Sequence, residues 1–327
     1  MLLYFDMINK LKVKNFKSIK DLELDCKRIN LFIGKPNTGK SNILEILGLF
    51  SWLNSEVSIE EYVRFRYPYD LFYSRNTDES ILIQIDDYLL NMNYNNVQGY
   101  VEVRHNDNYI FNLGQSYYGK TNVENVKEFV SLKFYKFKKL STFPDTTPDS
   151  LKHPYGDNLL TLLLTNKELR SYVKDILKEY NLSLLLRPIE HVIEVEWEEE
   201  EDVRISLPYN LISDTFQRVI FYQTAIMTNK DAILVFEEPE THAFPYYTKE
   251  LAESIALDNN QYFISTHNPY FLLSILEKAS KDEVSVFITY MKDHQTRVKS
   301  LSSNDIKEIM DYGIDIFFNI ERFLGEE

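Results

Sequence analysis

The 327-residue chain is 44% hydrophobic and holds 9 glycines, 10 prolines and one cysteine, Cys26. That composition supplies a core for one large α/β unit or two ordinary domains, and it excludes wholesale disorder, a collagen-like repeat, an internal disulfide framework and an all-cysteine zinc site. With 36 Lys and Arg against 50 Asp and Glu, the formal net charge of −14 argues against a protein that coats duplex DNA through a broad basic surface.

Met1 to Lys10 carries Asp6 inside its apolar stretch and lacks a basic leader, so it reads as a poor signal peptide. No apolar run reaches the ~18–20 residues that span a bilayer. A cytoplasmic chain without a membrane partner is expected, and a single cysteine suits a reducing compartment.

Leu11, Val13 and Phe16, the polar pair Lys17-Ser18, then Leu22 and Leu24 alternating with charge predict two strands and a turn; Ile29 to Ile33 is an apolar run of buried-strand type. A glycine-containing loop fills 34–41, after which Ile43, Leu44, Ile46, Leu47 and Phe50 recur at helical spacing. From about 80 to 137 the period shortens to two, as in Ile81, Ile83 and Ile85, predicting an antiparallel sheet with Asn and Asp turns. Ser141 to Pro154 holds three prolines and reads as a loop, and 157–183 reads as a helix pair broken near Asn166. His191 to Leu207 predicts a hairpin with an acidic tip, best explained as a solvated face. Helices follow at 214–228, 245–257 and from Pro269, strands at 232–236, 262–266 and 284–290, and the tail reads as helical. Alternating strands and helices in both halves imply a parallel α/β core, and no internal repeat is visible.

Gly34-Lys35-Pro36-Asn37-Thr38-Gly39-Lys40-Ser41 matches the G-x-x-x-x-G-K-[ST] phosphate loop, between an apolar strand and an apolar helix. Inward backbone N–H groups and a helix N-terminus neutralise a triphosphate; the glycines permit the backbone angles this needs. In such a loop Lys40 reaches the β and γ phosphates, the Ser41 hydroxyl coordinates Mg²⁺, and Gly34 through Asn42 line the nucleotide.

The strand Ala232–Phe236 delivers Glu237-Glu238-Pro239-Glu240-Thr241-His242. Two adjacent carboxylates after a buried strand suit a Mg–nucleotide hydrolase: Glu237 is assigned to the metal and Glu238 to the attacking water. Lys40 and Glu237 are 197 residues apart, so a large insertion separates them.

These segments resemble the ABC-type ATPase heads of the SMC, RecF and OLD superfamily, especially its short stand-alone ATPases without a toprim domain. Leu11-Lys-Val-Lys-Asn-Phe-Lys-Ser-Ile19 is similar to the opening strand of that group. Asn37 stands where its phosphate loop carries an asparagine, Glu237 to Pro245 is similar to the acidic segment of OLD-type proteins, and Ser265-Thr266-His267-Asn268-Pro269-Tyr270 resembles the switch-histidine segment. The resemblance implies an α/β head with a parallel core sheet, an antiparallel β lobe and a helical insertion. It implies a Mg-dependent ATPase that forms a homodimer through its nucleotide face, with ATP and Mg²⁺ as cofactors. His267 would contact the γ-phosphate, with Lys17 and Ser18 reaching the nucleotide from the first strand. Ser213, in Leu211-Ile-Ser-Asp-Thr-Phe-Gln-Arg218, would meet the opposite copy's γ-phosphate.

That last segment departs from the family, with Thr215 in place of the usual glycine, and Asp214 with Gln217 also spells a capping box. His242 is open to a dimer-face or a helix-cap role, and Gln84 follows a strand without a specific Q-loop context. No heptad arm and no toprim-like segment are visible. On this reading residues 1–140 form the N-terminal part of the head, 141–190 a loop and helical insertion, and 191–327 the C-terminal part. DNA maintenance or anti-phage defence is the expected setting; the alternative is a nucleotide-gated module with negligible hydrolysis that regulates a partner nuclease or toxin. Nucleic acid as a direct partner rests on analogy and runs against the negative charge.

Overall fold

The computed structural model describes residues 7–105, 108–114, 131–201 and 203–325. The stretch 115–130, inside the segment expected to be antiparallel sheet, lies outside the described residues, as do Met1 to Asp6. The chain forms two compact units.

The first unit comprises residues 1–134, 231–238 and 261–327. Its antiparallel sheet has the order β2-β1-β4-β5-β6-β7, built from β1 (Lys10–Phe16), β2 (Ile19–Asp25), β4 (Ile81–Ile85), β5 (Tyr88–Asn95), β6 (Tyr100–His105) and β7 (Asn108–Gly114). Alternation decides its faces: in β4, Ile81, Ile83 and Ile85 are buried while Leu82 and Gln84 are only partly so. The second sheet has the order β15-β14-β3-β13-β12-β8. It combines β3 (Ile29–Ile33), β8 (Leu132–Tyr135), β12 (Ile233–Glu237), β13 (Gln261–Ser265), β14 (Val284–Lys292) and β15 (Gln295–Ser300). Strands β12, β13, β3 and β14 run parallel and are near-continuous apolar runs, as a sheet covered on both faces requires.

Helix α1 (Lys40–Leu53) lies between these sheets. Twelve of its 14 residues are buried, so its sequence is apolar all round rather than striped. Trp52 meets Phe111 edge-on with ring centroids 5.0 Å apart, while α1 packs on β12 and β13 on its other side. Trp52→Ala would cost ~3–5 kcal/mol, the usual range for a large core deletion. Gly48 lets the helix approach the next segment, since a Cβ there would stand 3.0 Å from the Tyr62 carbonyl oxygen. Helices α6 (Pro269–Lys278), α7 (Ser303–Tyr312) and α8 (Ile320–Leu324) complete this unit.

The second unit comprises residues 135–230 and 239–260. It holds α2 (Leu159–Thr165), α3 (Lys167–Lys178), α4 (Asp214–Thr228), α5 (Pro245–Leu257) and an antiparallel sheet of β9 (Ser183–Arg187), β10 (Val192–Glu200) and β11 (Val203–Pro208). Asn166 breaks the helix pair by capping α3, its side chain accepting from Leu169 N–H at 3.0 Å. The acidic hairpin is a charge-paired surface: Glu194 meets Arg187 at 2.8 Å and Glu196 meets Arg204 at 3.1 Å.

Four expectations change. The segment after α3 gives β9, a third strand that pairs with β10. The tail is not wholly helical, because β15 pairs antiparallel with β14 before α7 begins. Strand β8 joins the mixed core sheet rather than the antiparallel one. Asp214 and Gln217 form no capping box: Ser213 is the N-cap of α4, Asp214 pairs with Lys139 at 2.5 Å, and the Gln217 amide donates to the Ile212 carbonyl at 2.8 Å.

Candidate active site

Strand β3 is fully buried and ends at Ile33, where the chain leaves the sheet through Gly34 (φ 148°) and re-enters helix at Gly39 (φ 97°), both outside the range that L side chains favour. Asn37 takes φ 60°, a left-handed turn that asparagine tolerates. Gly39 is the N-cap of α1 and offers no side-chain cap, and the first turn carries no acidic residue. The first N–H groups of α1 therefore keep the donor capacity and positive dipole end that hold an anion.

Lys40, 6% exposed, folds back over the loop and donates to the Gly34 carbonyl at 2.8 Å and the Lys35 carbonyl at 3.0 Å. Burial pulls its pKa down from 10.5 to about 8, with Glu238 and then Glu237 opposing that fall. A nucleotide phosphate would restore the missing counter-charge.

The acidic pair comes from the end of β12. Glu237 is the last residue of the strand, opposite Ser265 of β13. Glu238 breaks the strand with φ 45° while its N–H still donates to the Ser265 carbonyl at 3.0 Å. A non-glycine residue held there costs of order 1–3 kcal/mol, and such strain gathers at functional sites. His267, two residues past β13, brings Nε2 to 3.2 Å from Glu238 Oε1. Burial holds the His267 pKa below its usual 6.5, with Lys40 adding to the fall and Glu238 opposing it. That shift favours the neutral ring, and with its proton on Nε2 such a ring can donate to the Glu238 carboxylate.

A cleft of about 350 Å³ joins these parts; Ser18, Pro36 to Asn42, Arg64, Glu238 and His267 line it. Gly34 and Glu237 are not among its lining residues; the Gly34 carbonyl instead accepts from Lys40, which does line it. Two expected contacts turn elsewhere. The Lys35 ammonium pairs with Glu321 at 2.6 Å, leaving only its backbone to the loop. Lys17 does not line the cleft: it pairs with Glu45, a carboxylate 1% exposed on α1, and that buried charge must be compensated. Gln84 sits inside β4 and donates to the Asp86 carbonyl, away from the cleft. Ser213 belongs to the second unit, where the neighbouring Thr215 hydroxyl donates to the His242 carbonyl at 2.8 Å.

Sequence reasoning missed three contributors. Arg64 lines the cleft and meets Glu45 at 2.5 Å. Thr289 and Thr296 reach the phosphate loop from β14 and β15. No motif marks Arg64; the alternation in Gln295-Thr-Arg-Val-Lys-Ser300 was the available signal for β15.

Fold and cleft together define a P-loop nucleotide hydrolase, and the comparisons agree. Residues 7–185 match the AAA ATPase domain family, and residues 130–274 match the family described as AAA domain, putative AbiEii toxin, Type IV TA system. Among solved structures, the chain is similar to an SMC head bound to the C-winged helix domain of ScpA, with TM-score 0.61 and 16% identity over 93% of this chain and 100% of that one. It is similar too to an SMC head with an extended coiled coil bound to the C-terminal domain of ScpA derived from Pyrococcus furiosus, with TM-score 0.55 and 15% identity over 93% of this chain and 98% of that one. No curated protein matches the sequence. The chain belongs to the AAA ATPase domain family, is an ATPase, and has the fold of an SMC head. Among the described residues no helix is long and apolar enough to cross a membrane.

Proposed function

We propose that ATP is bound with Mg²⁺ and hydrolysed in the cleft over the phosphate loop. The observation that carries this is the meeting of Glu238 and His267, from the far end of the sequence, with Gly39 and Lys40 in one cavity. Lys40 exchanges its two loop carbonyls for the β and γ phosphates and stabilises charge on the transferred group. Ser41 and Glu237 offer hard oxygen donors of the kind Mg²⁺ takes. Bound there, Mg²⁺ supplies positive charge across the phosphates. Glu238 orients the attacking water and accepts its proton. His267, released from Glu238, donates Nε2–H to the γ-phosphate.

In this reading ATP-bound heads pair through the nucleotide face, and Ser213 at the start of α4 meets the γ-phosphate of the other copy. Thr215, β-branched and committed to the His242 carbonyl, stands in the first turn where the family has glycine and slows turnover. The setting we assign is DNA maintenance or anti-phage defence. Thr215 and the resemblance of residues 130–274 to a family described as a putative toxin favour a second reading, a nucleotide-gated module acting on a partner nuclease or toxin.

Phosphate release by the wild type, Lys40→Ala and Glu238→Gln tests the site. The expected result is loss of ATP binding in Lys40→Ala and ~10²–10⁴-fold slower turnover with retained binding in Glu238→Gln. Equal turnover in all three proteins rules the site out. Sizing with ATP and with a non-hydrolysable analogue separates the two settings: lasting dimers in both, without phosphate release, favour the gated module.

A further inference from the structure

We infer that Thr289 and Thr296, on the β14–β15 hairpin, are positioning residues of the ATPase site: they brace the phosphate loop in its phosphate-accepting shape. The inference rests on the reading of the cleft as the ATP site. Both side chains are buried, Thr289 1% and Thr296 0% exposed, in strands whose other residues contain no motif.

The hairpin lies flush against the two motif glycines. A Cβ on Gly34 would run into the Thr289 carbonyl and hydroxyl, and one on Gly39 into the Thr296 side chain. The glycines are thus required by this close approach as well as by their backbone angles.

Hydroxyl chemistry then ties the loop down at both ends. Asn42 Nδ2 donates to Ser18 Oγ at 2.6 Å, Ser18 and Thr296 hydroxyls are 2.7 Å apart, and Thr296 donates to the Thr38 carbonyl at 3.0 Å. Each hydroxyl has one proton, so the direction is fixed: Asn42 to Ser18, Ser18 to Thr296, Thr296 to the loop backbone. At the other end the Thr38 and Thr289 hydroxyls are 2.7 Å apart. Their two protons serve two of three acceptors at a time: the Lys35 carbonyl, 2.8 Å from the Thr38 hydroxyl, the Ile33 carbonyl, 3.0 Å from the Thr289 hydroxyl, and the partner hydroxyl itself. The Lys35 carbonyl is also one of the two that hold Lys40. The braces therefore fix the carbonyls and N–H groups on which phosphate placement depends, and small displacements of such groups are felt in catalysis.

The test is steady-state ATP hydrolysis by the full chain carrying Thr296→Val, Thr289→Val, Thr296→Ser or Thr289→Ser, with Tm measured beside it. The valine variants are expected to raise KM for ATP about tenfold, the effect of one lost buried hydrogen bond to the loop, while the serine variants keep KM within about twofold. A valine variant whose Tm falls while KM and kcat stay at wild-type values overturns the brace. Should a valine variant fail to fold, alanine at the same position carries the test with the same two outcomes. Lys40→Ala separates the levels: if it binds ATP like the wild type, the site reading falls; if it loses ATP while the valine variants keep wild-type KM, the brace alone falls.

Discussion

Lys40 carries its charge at the edge of what its surroundings allow, because burial brings its pKa from 10.5 to about 8 before nucleotide arrives. Raising the pH is thus a direct perturbation of the phosphate loop. With a pKa of about 8, roughly nine-tenths of the free protein holds the Lys40 proton at pH 7 and about one-tenth at pH 9, so kcat/KM for ATP should fall about tenfold across that interval. Bound phosphate restores the charge, so kcat at saturation should fall less and at higher pH. The assay is phosphate release at low ATP from pH 6.5 to 9.5 at constant ionic strength. Lys40→Arg is the control, since guanidinium stays protonated throughout. A flat profile to pH 9.5, or the same alkaline limb in Lys40→Arg, would refute the reasoning. The linked stability effect has the opposite sign. The unfolded chain keeps the Lys40 proton up to 10.5 and the folded chain only to about 8, so stability rises with pH through that window. The gap corresponds to ~3 kcal/mol, readable as the change in the wild-type minus Lys40→Met stability difference between pH 7.5 and 10.5.

Glu45→Ala should lower stability by ~3–5 kcal/mol, because Lys17 is left in a largely buried position without its carboxylate; urea unfolding measures this, and a loss below 1 kcal/mol would show the pair to be solvated. Gly39→Ala should abolish ATP binding, since its Cβ meets Thr296 and φ 97° strains any L side chain; calorimetric titration with ATP checks it.

The motifs with fixed spacing and a hydrophobic strand on one side were legible before any coordinates. Gly34 to Ser41 and Glu237-Glu238 stand out because each follows a continuous apolar run, β3 or β12, and because their residue types are those that the proposed phosphate and metal chemistry would demand. The antiparallel strands were readable from period two. Strand β15 carries only a weak form of that alternation, since Thr296 alone is buried and its pairing with β14 is decided by tertiary contact. Lys17 could not be directed to Glu45 from sequence: 28 positions separate them, and the burial that creates the need appears only when α1 is enclosed. Arg64 was invisible for the same reason.

The strand that feeds the phosphate loop has both its neighbours, β13 and β14, from beyond residue 260, although it is itself finished by residue 33. During synthesis the ribosome therefore releases β3 long before any partner for its edges exists. The locally connected antiparallel sheet can form early, but β3 waits for more than two hundred further residues with its hydrogen-bonding groups unpaired. Messages cut short before that point would yield chains that carry the whole glycine-rich signature yet never assemble a nucleotide pocket, and their bare strand edges make them substrates for chaperones and proteases.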